Sequence, residues 1–210
     1  ATTWLASAIY LAPIIGGKEP ARQSLLVKLL FGAVLIVAVG SLTGEVLGIY
    51  GKLGDLWFWF GHQGWEYVDL GRFWQWFLFI GLGVWLTLVG RALWPALRRG
   101  GEAQPITMLL FLSTIAIGLF YGAGLMWGEH THISMIEYWR WWVVHLWVEG
   151  FFEVFATVVM GFLMAHIGAV SRKAALTAIY FIVFLYLVTN FNDKYFSCYV
   201  YILIIKVISL

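Results

Sequence analysis

The chain is short of charge, nearly free of cysteine and sparing with proline. Asp, Glu, Lys and Arg make up 11% of its 210 residues, where a soluble domain carries about 25%. That deficit excludes an ordinary water-covered surface. The net charge of +2 is too small to mark a nucleic-acid partner. Cys198 is the one cysteine, so an internal disulfide is excluded. There is no charged leader ahead of the first apolar block and no small-residue cleavage site, which argues against a signal peptide. The chain opens apolar at Ala1, as the end of a helix whose start lies upstream would.

What is there is apolar. The hydrophobic residues reach 62%, against roughly 45–50% in soluble domains. They fall in long blocks rather than a periodic scatter, and blocks of about 18 or more read as membrane spans. Thr2 to Ile15 is too short to span alone, and Pro20 after Gly16 and Gly17 stops it. Further spans are expected over Ser24–Thr43, Phe73–Gly90, Pro105–Gly128, a long helix Glu137–Ala165, and Ala174–Asn190. A short block, Tyr195–Ile205, follows. Gly44–Gly71 reads as a mixed polar and aromatic loop. The fold class is therefore all-α: a polytopic transmembrane helix bundle of about six or seven spans, taken as one domain over 1–210.

Loop charge alternates along the chain. Lys18, Arg22 and Lys28 flank one connection, Arg91, Arg98 and Arg99 a second, and Arg172 with Lys173 a third. Glu45, Asp55, Glu66, Asp69, Glu129 and Glu137 occupy the connections between them. The positive-inside bias puts the first set in the cytoplasm and loops 44–71 and 129–137 outside. Trp57, Trp59, Trp65, Trp139, Trp141 and Trp142 then form an aromatic belt at the outer boundary. After Gly168 there is no glycine, proline or tryptophan. This break sets 181–210 apart as a divergent tail.

One constellation carries chemistry. His145, Glu149 and Glu153 stand four residues apart within an apolar helix. Each such step turns only about 40° around an α-helix, so the three share a stripe. A charge at the centre of a membrane helix costs about 2.5–3.5 kcal/mol on insertion scales, so these groups need partners. A metal ion is one and a proton path is another. Imidazole suits iron, copper or zinc, and carboxylate favours harder ions such as iron. The bland alternative is a histidine bonded to a backbone carbonyl beside protonated glutamates. His130 and His132 in the outer loop, and His62 and His166 near boundaries, take the bland reading of solvated or hydrogen-bonded residues.

The run from Tyr138 to Glu153, YWRWWVVHLWVEGFFE, resembles the catalytic helix of nitric oxide reductases, members of the haem–copper oxidase superfamily. The segments LAPIIGGKEP (11–20), WFWFGHQGWEY (57–67) and GAGLMWG (122–128) are similar to the single-subunit, quinol-dependent branch. The resemblance covers roughly residues 1–180. It implies a haem–copper oxidase-like bundle in a bacterial inner membrane. It implies the joining of two nitric oxide molecules, with two electrons and two protons, into nitrous oxide and water. The cofactors it implies are haem b and a non-haem iron, with calcium as a third. His145 and Glu149 would be ligands of the iron, Glu153 a proton-delivering or site-shaping carboxylate, and Glu66 a calcium ligand. Quinol would be the electron donor. Membrane lipid and nitric oxide are the other expected partners, and the oligomeric state stays open, a homo-oligomer included.

Two departures stand against the family pattern. The family's adjacent histidine pair, which completes the iron site, falls at Asn192 and Asp193, where Asp193 can offer a replacement oxygen ligand. The haem-binding histidines of the family fall outside 1–210. Two alternatives follow: an inactive membrane remnant of the family, and a proton-conducting transporter that uses the glutamate stripe.

Overall fold

A computed structural model of the chain describes residues 2–62, 70–101, 104–145 and 152–190. Those residues are mostly helical, with no strand among them: α1 (Thr2–Gly16), α2 (Gln23–Ile49), α3 (Trp57–Phe60), α4 (Arg72–Arg99), α5 (Gln104–Tyr121), α6 (Ile133–Trp141), α7 (Phe152–His166) and α8 (Arg172–Asn190). Three stretches are long and apolar enough to cross a membrane: Gln23–Ile49, Arg72–Arg99 and Gln104–Leu125. At 1.5 Å per residue, the 27 residues of α2 and 28 of α4 reach about 40 and 42 Å, beyond the ~30 Å hydrocarbon core. Leu5–Gly16 and Phe152–His166 are shorter apolar helices. The chain forms two compact units, 1–152 and 153–210.

In the first unit, α4 is the hub, packed against α1, α2, α3 and α5. Trp85, Leu88, Val89, Ala92 and Leu93 on α4 are buried almost completely. Polar side chains tie α4 to its neighbours through backbone carbonyls. Trp85 Nε1 donates to Leu5 O at 3.0 Å and Trp74 Nε1 to Phe60 O at 3.1 Å. Gln23 Nε2 of α2 donates to Leu88 O at 3.4 Å. In lipid no water can satisfy such groups, so each internal bond counts toward which helices pair.

Close backbone approach does the rest. A Cβ on Gly16 would lie 1.9 Å from Ala92 O, and one on Gly44 would lie 1.8 Å from Phe60 O. Only glycine lets α1 come so near α4, and α2 so near α3. By contrast α2 buries only Gln23, Val37 and Gly44, and its remaining surface is the apolar face a membrane requires.

Several boundaries differ from the sequence expectation. The second span does not stop at Thr43: α2 continues through Glu45 to Ile49, because Val46, Leu47 and Ile49 extend the apolar run. The rest of the expected loop holds a 3₁₀ turn at Gly54–Leu56 and the short α3. The long fifth helix is not one α-helix. It runs as α6 to Trp141 and opens into a π-helical turn over Trp142–His145, and the next described residue is Phe152 of α7. The block Tyr195–Ile205 and Cys198 lie outside the described residues, as does most of the 181–210 tail. In the second unit Gly161 of α7 lies against Ile179 of α8, where an added Cβ would meet the isoleucine Cδ1 at 2.7 Å.

Candidate functional site

The residues around His145 are positioned by an aromatic cluster in the first unit. Ala123, Trp127, Ile136 and Val143 are buried together, with Trp139 and Trp142 packed on them. Phe120 of α5 stacks on Trp142 at 5.9 Å and 23°. His132 caps α6: its Nδ1 accepts from Ser134 N at 3.3 Å and lies 2.7 Å from Ser134 Oγ. A nitrogen engaged in this way serves the helix start, which explains that loop histidine without a metal. Glu137 and Arg140 pair at 2.5 Å within α6. These contacts hold the helix that leads into the π turn.

His145 is the last described residue of that turn. It is half-buried, and its ring lies 5.2 Å from Trp141 at 46°. A π turn bonds i to i+5 rather than i+4, and such turns recur at functional sites. The regular α spacing that put His145, Glu149 and Glu153 on one stripe is thus altered at its first member. Glu149 lies outside the described residues. Glu153 stands in the first turn of α7, exposed, and belongs to the second unit.

Of the other expected residues, Glu66, Asp193 and Asn192 lie outside the described residues. His62 is half-buried after α3, and His166 stacks on Phe162 at 5.8 Å at the end of α7. No group of three or more His, Cys, Asp or Glu side chains gathers among the described residues. The fit to a metal is therefore one of kind and not of number. His145 offers an imidazole in an aromatic, half-buried setting, which suits a transition ion. Glu149 and further donors would have to come from positions outside the described residues.

One residue that sequence reading passed over is Arg72. It is buried at the start of α4. Its guanidinium donates to Gly124 O at 2.8 Å and to Trp127 O. It also lies 5.5 Å from the Phe58 ring centre and 5.4 Å from that of Trp127. It fastens α4 and α3 to the 3₁₀ turn at Gly122–Leu125, which leads into the His145 cluster. A signal existed: an arginine among the acid-rich connections runs against the charge bias of the loops, so it has a partner inside the protein.

Apolar spanning helices and a histidine set in an aromatic cluster define a polytopic membrane protein of the helical-bundle class. The family described as cytochrome c and quinol oxidase polypeptide I matches residues 1–196, and the chain belongs to it. This is the family of haem–copper oxidase subunit I, whose function is redox chemistry and whose members bind haem and metal cofactors.

Proposed function

We propose that the chain is the catalytic membrane portion of a quinol-dependent nitric oxide reductase, reducing nitric oxide to nitrous oxide at a haem and non-haem iron centre. The observation that carries this reading is the pattern His145–Glu149 within a chain of the haem–copper oxidase family. A carboxylate four residues along the sequence from the imidazole turns the donor set toward iron and away from copper. His145 and Glu149 would hold the iron, with Asp193 a replacement oxygen ligand. When bound, iron would provide a second site for nitric oxide beside the haem and would stabilise negative charge as the nitrogens join.

The chain's own residues divide the remaining work. The cluster of Trp139, Trp142, Trp127 and Val143 keeps water from the His145 side of the site. Trp141 restrains the imidazole. Glu153, exposed at the start of α7, holds a proton and passes it toward the centre. Glu66 binds calcium on the outer side, and quinol supplies the electrons. The protein lies in a bacterial inner membrane with loops 44–71 and 129–137 facing the periplasm.

The test is gas turnover by the purified full-length protein with a reduced quinol. Nitric oxide should be consumed and nitrous oxide should appear in a 2:1 ratio. Glu149→Gln should lower turnover at least about 100-fold, beyond the 10–100-fold that a lost outer-shell partner costs. Oxygen uptake without nitric oxide turnover, or full activity in the Glu149→Gln protein, would overturn the reading. Asn192 and Asp193, at the place of the expected histidine pair, favour a second reading: a family remnant that keeps the bundle without a complete metal centre. That reading expects neither iron nor nitric oxide turnover.

A further inference from the structure

We propose that the basic end of α4, with the α1–α2 connection folded against it, binds the phosphate headgroup of an anionic phospholipid. The length of α4 gives the depth. Its uncharged stretch, Phe73–Gly90, covers about 27 Å of a hydrocarbon core of about 30 Å. Arg91 therefore stands at the boundary. The eight residues onward to Arg99 climb about 12 Å more, through the layer where lipid phosphates lie.

The α1–α2 connection is brought to the same level by specific contacts. Arg91 donates to Ala21 O at 2.8 Å, and Arg99 donates to Gly16 O. Gly16 rests on the Ala92 carbonyl, a spot where any Cβ would collide. Gly17 takes a φ of 74°, with the Arg99 guanidinium packed over it. Lys18 and Arg22 are thereby carried to the side of Arg91, Arg98 and Arg99. All five cations are exposed, and among the described residues none is ion-paired with a carboxylate. Glu19, also exposed, is the one described carboxylate in the connection.

The arginines are held ready. Arg99 spends one N–H on Gly16 and its Nε on Pro95 O at 3.2 Å, and Arg91 spends one on Ala21. A guanidinium has five N–H donors, so each keeps at least three for an anion. Anchoring to backbone carbonyls reduces the rotamer freedom lost on binding. Arg98 lies 4.9 Å over the Trp94 ring, and that indole is 48% exposed. An exposed indole beside the cations offers apolar surface to a lipid glycerol and upper chain, which free phosphate could not use. A loop charge bias needs only that cations be present. Their convergence on one helix end through backbone contacts asks for a counter-ion.

Native mass spectrometry of the full-length protein, released from micelles containing equal phosphatidylglycerol and phosphatidylcholine, tests this. The parent should retain phosphatidylglycerol over phosphatidylcholine at least about tenfold. A basic residue near an anionic surface is worth about fivefold in affinity. The Lys18→Gln/Arg22→Gln/Arg98→Gln protein, whose altered side chains make no hydrogen bond among the described residues, should lose most of that preference while keeping its thermal midpoint in phosphatidylcholine alone. Lys52→Gln, beyond the other end of α2, should leave the preference unchanged, and millimolar inorganic phosphate should not displace the lipid. Equal retention of the two lipids by the parent, an unchanged preference in the triple variant, or an equal loss in Lys52→Gln would each sink the proposal. Displacement by phosphate would overturn the lipid source in favour of a free-anion site.

Discussion

At the scale of single residues, Arg72 shows what a buried cation does when its partners are carbonyls and rings. Arg72 is buried, and Gly124 O and Trp127 O accept from its guanidinium. Replacing Arg72 with Met keeps the bulk and removes the donors. Each buried acceptor left without a partner costs about 1–3 kcal/mol, so for the two a loss of about 2–6 kcal/mol is expected. It would be read as a lowered unfolding midpoint of the detergent-solubilised protein. Arg72→Lys keeps the charge but not the planar fork, and should recover less than half of the loss. An unaltered midpoint in Arg72→Met would show that the guanidinium holds nothing together. His145 was legible from sequence because an imidazole in an apolar run is conspicuous. For Arg72 only its charge against the loop bias stood out, and its partners, which lie more than fifty residues away, could not be named from the sequence.

At the scale of elements, glycines that look like breaks turn out to be contact points. Gly44 reads as the end of a span, yet it lies inside α2 at the place where that helix meets the Phe60 carbonyl. Gly44→Ala must push α2 aside, and overpacking of this kind costs about 1–3 kcal/mol. Gly32, in the same helix, has nothing within 4 Å of its would-be Cβ. Gly32→Ala should therefore be neutral or stabilising by up to about 1 kcal/mol. Thermal midpoints of the two proteins in one detergent make the comparison. A similar fall in both would mean that helix composition, and not the Phe60 contact, sets the effect. The apolar blocks marked α1, α2, α4, α5 and α8 as helices, and length with hydropathy marks α2, α4 and the Gln104–Leu125 stretch as spans. The π turn at Trp142–His145 was out of reach, since an extra residue in a helical turn leaves the apolar pattern of so aromatic a run unchanged. The same turn limits how far residue spacing can place Glu149 and Glu153 around the helix.

At the scale of the whole molecule, membership of the haem–copper oxidase family sets redox chemistry as the function, and the donors decide which. If His145 and Glu149 hold iron while Glu153 handles protons, their substitutions must part company. Glu149→Gln should lower both iron content and nitric oxide turnover, while Glu153→Gln should lower turnover with iron per chain unchanged. Elemental analysis beside gas turnover separates the two, and parallel loss of iron in both proteins would place Glu153 among the ligands instead. The sharper test lies at Asn192 and Asp193, where the family resemblance expects a pair of imidazoles and the sequence has an amide and a carboxylate. Imidazole binds the later divalent ions more firmly than an amide oxygen does, so a site built on His145 and Glu149 should be short of affinity in the chain as it stands. Asn192→His/Asp193→His in the full-length protein should then raise iron per chain and nitric oxide turnover together. In a remnant that has lost the surrounding geometry, two added histidines would find no partners, and iron content would stay at background. Restored iron without turnover would leave the metal site standing and move the fault to haem, proton or electron supply.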